Sequence, residues 1–178
     1  MLKKLIIYAN NIGAKVIAIP FLEEKAIKDQ KMAEDIRNNM AQVLPLAQQN
    51  NIRLALETEL NAVELNKFLQ SFSSKFIGVC YDLGNTTSYG HDCPKVILAL
   101  RDKIFEVHLK DRKKGTSQSL TFGNGDVDFS ACFRALDKVK FKGPVILQAW
   151  RGENYLNDAK VQLAYTQSII KNNYLAQW

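Results

Sequence analysis

The stretch Lys75-Phe-Ile-Gly-Val-Cys-Tyr-Asp82 is followed by Pro94-Lys-Val-Ile-Leu-Ala-Leu-Arg101 and then by Ile104-Phe-Glu-Val-His-Leu109. The first and third runs are short, apolar and rich in β-branched and aromatic residues, the mark of buried strands. The middle run repeats apolar residues at helical spacing, and Pro94 suits a first helical turn. Strand, helix and strand in that order predict parallel strands joined by a crossover helix.

The same unit recurs on both sides. Upstream, Lys15-Val-Ile-Ala-Ile-Pro20 and Arg53-Leu-Ala-Leu-Glu57 read as strands, with a long helix expected over 28–49 and another over 62–72 capped by Asn61. Downstream, a helix is expected over 129–139, a strand over 143–148 and a last helix over 157–171. In that last helix Tyr165, Ile169 and Ile170 sit at core spacing. A first helix over 2–12 ends at Gly13. A loop is expected to begin at Gly84-Asn85, and 112–125 forms a longer polar one. The chain thus reads as one helix and five βα units, an α/β fold whose parallel sheet is buried on both faces. No linker divides it, so 1–178 is expected to be a single domain.

Composition limits the function. The 178 residues carry 24 Lys and Arg against 18 Asp and Glu, for a net charge of +6. That mild excess suits a solvated surface as well as it suits anionic partners. Three widely spaced cysteines, Cys80, Cys93 and Cys132, make no metal-type pair and no disulfide framework. They point to a reducing compartment, and a cytoplasmic location is expected. No apolar run is long enough for a transmembrane helix, and Asn10, Asn11, Gly13 and Lys15 interrupt the apolar start where a signal peptide would continue.

Polar residues collect at the strand ends. Glu57, Asp82, His108 and Gln148 each stand just before the following loop. Parallel α/β folds build sites at the carboxyl ends of their strands. Two carboxylates, an imidazole and an amide oxygen suit a hard or borderline divalent ion such as Mn²⁺, Mg²⁺, Co²⁺ or Zn²⁺. Taken singly, each also fits a plainer role: a solvated carboxylate, a turn former, a hydrogen-bonded strand-end histidine or a polar tip beside Trp150. Four in succession at one end favour a shared site.

These residues and their neighbours carry a resemblance. Leu-Ala-Leu-Glu57, Tyr-Asp82-Leu-Gly-Asn85, Val-His108-Leu-Lys-Asp111, Phe122-Gly-Asn-Gly-Asp-Val-Asp128 and Val-Ile-Leu-Gln148-Ala-Trp150 resemble the xylose isomerase-like TIM-barrel superfamily. The likeness is strongest to hexulose-6-phosphate isomerases and L-ribulose-5-phosphate 3-epimerases. It implies a partial (β/α)8 TIM barrel, with parallel strands corresponding to β4–β8 of the family. It implies a divalent metal held by Glu57, Asp82, His108 and the position of Gln148, of which the first and last also form the acid/base pair. Asn85, His91, Lys110, Arg112 and Trp150 become substrate contacts on the same ground. The implied reaction is isomerisation or epimerisation of a sugar or sugar phosphate through an enediolate.

The chain departs from the family in two places. Gln148 replaces a glutamate, and an amide brings neither charge nor a base near neutral pH; Glu59, Asp111 and Glu153 are the nearby carboxylates that could compensate. Counterparts of the first three strands are absent, against roughly 250 residues in a complete barrel. Two open sheet edges and an apolar interior are therefore expected, favouring self-association into a homo-oligomer. Both departures leave a non-catalytic binding or assembly relative as the alternative to an enzyme. Apurinic endonucleases share the barrel, but their zinc cluster is rich in histidine. Only His91 and His108 are present here, so a nucleic-acid role ranks last.

Overall fold

The computed structural model describes residues 1–172. Five parallel strands form one sheet in the order β1-β2-β3-β4-β5. They are β1 (Val16–Phe21), β2 (Arg53–Thr58), β3 (Ile77–Asp82), β4 (Ile104–Leu109) and β5 (Val145–Leu147). Helices alternate with them: α1 (Leu2–Asn11), α2 (Gln30–Ala41), α3 (Leu44–Gln49), α4 (Ala62–Gln70), α5 (Leu83–Ser88), α6 (Cys93–Leu100), α7 (Phe129–Lys138) and α8 (Tyr155–Asn172). The expected α/β architecture with five parallel strands is what forms.

Local differences have local causes. The helix expected over 28–49 is two helices, because Pro45 lies in the first turn of α3 and cannot continue α2. The loop expected from Gly84 is instead α5. The Asp82 side chain caps it, accepting from Asn85 N at 2.7 Å, and so substitutes for a backbone acceptor. Asn61 caps α4 as expected, in a full capping box with Glu64. The last strand shrinks to three residues. On α8 the buried positions are Gln162 and Thr166, while Tyr165, Ile169 and Ile170 are half-buried. Gln162 is held inside by its Nε2, which donates to Trp150 O at 2.7 Å and to Asp158 O at 3.2 Å.

Packing divides the chain into two compact units whose boundaries fall within β3 and β4. The first contains Met1–Cys80 and Lys103–Glu106. Here β1 and β2 pair from Val16↔Arg53 to Phe21↔Thr58, and β2 pairs with the start of β3. Ala55, Cys80 and Phe105 form a buried cluster against which Val16 packs. The Arg53 guanidinium lies 5.0 Å from the centre of the Phe105 ring, a cation–π contact. Gly78 is required: a Cβ there would stand 2.5 Å from Lys103 O and 2.6 Å from the Phe105 ring. Pro20 lacks an N–H, and β1 is an edge strand, where that loss is tolerated.

The second unit contains Tyr81–Asp102 and the chain from Val107 onward. β4 and β5 pair from Val107↔Val145 to Leu109↔Leu147. α6 packs on α7, burying Ile97, Leu100, Phe133 and Leu136. Phe122, Phe129 and Tyr165 form an aromatic trio with ring centres 5.0 to 6.2 Å apart. The ring of Tyr165 is thereby packed, which partly buries its hydroxyl and raises its pKa.

Candidate functional site

Strand alternation puts Ala55 and Glu57 on one face of β2, and Gly78, Cys80 and Asp82 on one face of β3. In the first unit Glu57 is buried at 6% exposure, although it is a carboxylate. One of its oxygens lies within 4.8 Å of Cys80 Sγ. Cys80 Sγ also makes a weak 3.8 Å contact to Glu106 Oε1. Glu59 faces another way and accepts from Glu23 N.

The second unit holds the larger cluster. Asp82, Asn85, His108, Lys110 and Asp111 are all buried. Asp82 uses its two oxygens differently. Oδ1 caps α5. Oδ2 accepts no hydrogen bond; the Lys110 ammonium stands 2.9 Å away as an ion pair, and His108 Nδ1 lies at 4.0 Å. Lys110 Nζ also reaches Asn85 Oδ1 at 3.4 Å. Gly84 lets this happen, since a Cβ there would meet Lys110 Cγ at 2.7 Å. A short helix, a glycine and a buried lysine together aim Asp82.

Asp111 has a structural task. It is fully buried and accepts from Gly123 N at 2.8 Å, Gly125 N at 2.9 Å and Val127 N at 3.3 Å. It thereby fastens the loop after β4, which Asp126 tightens through Lys114 N and Arg112 O. Asp111 is thus committed to backbone donors. Glu153 is exposed.

The remaining predicted residues are less enclosed. Gln148 lies just past β5 with an exposed side chain, its N–H donating to Leu109 O at 2.9 Å. Trp150 is 39% exposed. His91 is half-buried, with its N–H on Thr86 O. Arg112 is half-buried, and its Nε is buried without a hydrogen-bond partner. Cys80 was not among the residues singled out for the site; the alternation that puts it on the Asp82 face is its only signal in the sequence.

The profile of the xylose isomerase-like TIM barrel family matches residues 1–169. The chain belongs to this family. Among curated members, the L-ribulose-5-phosphate 3-epimerase UlaE of Escherichia coli K12 is 25% identical over 165 residues. That match covers 84% of this chain and 55% of UlaE, so the chain spans about half the length of its curated relatives. The solved structure of an L-ribulose 3-epimerase superimposes with a TM-score of 0.77 at 18% identity, covering 99% of this chain and 66% of that one. The IolI protein with a bound zinc atom superimposes equally well, at 16% identity, with coverages of 99% and 68%. The proteins it resembles thus include sugar epimerases and a zinc-bound protein, and this chain shares their fold over the part it covers. Among the described residues no helix is long and apolar enough to cross a membrane.

Proposed function

We propose that this chain is a metal-assisted epimerase or isomerase of a sugar or sugar phosphate, weakened by Gln148. The observation that carries the reading is the buried Asp82 carboxylate, whose Oδ2 is held by a cation, the Lys110 ammonium at 2.9 Å. A carboxylate oxygen so deeply buried is costly unless a cation uses it. The donor types fit a divalent ion held by Glu57 and Asp82, with His108 and the Gln148 amide oxygen completing the set. When bound, such an ion polarises the carbonyl and adjacent hydroxyl oxygens of the substrate and offsets the negative charge that develops there.

The protein groups then divide the remaining work. Glu57 removes the proton next to the carbonyl of an open-chain ketose, giving an enediolate. Gln148 holds no proton to give and accepts none, so the second arm of the acid/base pair is lost. Lys110 is paired with Asp82, so a metal ion competes with an ammonium already in place. Asn85 and Lys110 are assigned to the sugar hydroxyls, Arg112 to a phosphate, and His91 and Trp150 to the wall of the site. The chain is taken to work as one truncated-barrel domain in a reducing, cytoplasmic setting, in keeping with its three free cysteines. Copies are expected to associate through α1, whose Leu5, Tyr8 and Ile12 are exposed on one stripe. Tyr8→Lys should then lower the mass measured by sedimentation.

The deciding experiment is titration calorimetry with Mn²⁺ and Co²⁺, alongside a 3-epimerase assay on L-ribulose 5-phosphate. Binding that is lost in Asp82→Ala, with slow turnover that rises in Gln148→Glu, supports the enzyme. Absence of metal binding in both the native chain and Gln148→Glu sinks it. The non-catalytic relative, favoured by the exposed amide at Gln148, would then stand.

A further inference from the structure

Lysine is rarely buried unless its charge is paired. Lys110 is only 8% exposed, and the fold makes a place for it. Gly84 gives room to the stem, since a Cβ there would stand 2.7 Å from Lys110 Cγ and 2.8 Å from Lys110 Cβ. At the far end the ammonium lies 2.9 Å from Asp82 Oδ2 and 3.4 Å from Asn85 Oδ1. His108 Nδ1 stands 4.0 Å from the same Asp82 oxygen, beyond hydrogen-bond reach. The other Asp82 oxygen accepts from Asn85 N at 2.7 Å. On the metal reading proposed above, on which this rests, we infer that Lys110 is a resident counter-ion. It occupies Asp82 in the metal-free protein, sets how tightly the site takes a divalent cation, and is handed to Asn85 when Asp82 is given to the ion.

Asp82 is 3% exposed, so its charge cannot be left to water. A site that relied on a free ion to balance that charge would lose its geometry whenever the ion left. The lysine removes this dependence because it is part of the chain. Its effective concentration beside Asp82 is fixed by the fold, whatever the metal concentration outside. The same tether weakens metal affinity. An incoming ion gains Asp82 only by displacing the ammonium, since two cations in one buried place repel.

Asn85 makes the displacement feasible. Its amide oxygen already lies within reach of the ammonium, and a carbonyl oxygen accepts well from a charged donor. Released from Asp82, Lys110 keeps that acceptor and turns its remaining N–H groups to the sugar hydroxyls assigned to it above. Arrival of the ion and readiness for substrate are thereby coupled. A lysine that merely packed the strand end would behave in the opposite sense. Removing its charge would then only disturb Asp82, and metal binding would weaken.

The test compares the native chain with Lys110→Met, which keeps the stem beside Gly84 and deletes the charge. Mn²⁺ affinity is measured by titration calorimetry, and thermal unfolding is followed with and without Mn²⁺. The expected result is Mn²⁺ binding about tenfold tighter in Lys110→Met than in the native chain. Its metal-free form should melt below the native chain, and Mn²⁺ should raise its melting temperature by more than it raises the native one. Lys110→Gln, neutral but polar, is measured alongside with the same expectations, so the test does not hang on one variant. A neutral variant that folds only with Mn²⁺ present also supports the inference, because the ion then supplies the missing charge. Equal or weaker Mn²⁺ binding in both neutral variants overturns the inference and leaves the metal reading intact. Absence of Mn²⁺ binding in the native chain, both Lys110 variants and Gln148→Glu overturns the two together.

Discussion

β4 and β5 are neighbours in one sheet and pair residue for residue, yet their ends differ. Leu109 is fully buried, and its partner Leu147 is half-buried. After β4 come Lys110 and Asp111, both buried and both bonded. After β5 comes Gln148, exposed. β4 lies between two strands, whereas β5 has one neighbour. An inner strand of a parallel sheet is covered on both faces, so polar groups at its end must find protein partners. An edge strand leaves them to water, which makes them cheap to change. Gln148, the strand-end position of lowest burial among those singled out in the sequence, is the one at the edge.

The contrast can be tested by substitution. The largest effect is expected from Asp111→Ala, which strands three backbone donors in the loop after β4. Urea unfolding should show a loss of about 3–5 kcal/mol. If the loss is below about 1 kcal/mol, Asp111 is not what fastens that loop. Next, the paired leucines should separate: Leu109→Ala should cost about 3 kcal/mol and Leu147→Ala about 1 kcal/mol. Equal costs would mean that β5 is as well covered as β4. Gly84→Ala should then cost about 2 kcal/mol, because its methyl meets the Lys110 stem. It should also disturb any metal affinity that depends on Asp82, measured by calorimetry. The smallest effect on folding belongs to Gln148→Glu, within about 0.5 kcal/mol at an exposed position. Its effect should appear instead as about tenfold tighter Mn²⁺ binding, or about 1.4 kcal/mol.

Much of this was legible along the chain. Strand runs and helical spacing announced the five βα units, because burial on both faces leaves no polar residue inside β3 until Asp82. Asn61 was legible as a cap because capping is a local hydrogen bond. Glu57, Asp82 and His108 stood out in the sequence as polar residues at strand ends, and all three are buried. The break at Pro45 was written in the sequence but hidden by an otherwise continuous helical pattern. The helix after Asp82 was obscured by Gly84, which reads as a turn until Lys110 is seen to need the space. The core of α8 was misjudged because Trp150 O draws Gln162 inward, a contact between residues with no periodic relation.

The sequence by itself determined the alternation of strand and helix, the family, and which residue types stand at the strand ends. Those follow from hydrophobic period and local bonding, which act over a few residues. Only the tertiary structure decided how each end is used: Asp82 split between a helix cap and Lys110, and Asp111 spent on three backbone donors. Each of these joins residues distant in the chain. Burial, by removing water as a partner, forces each buried polar group to take whichever neighbour the fold supplies.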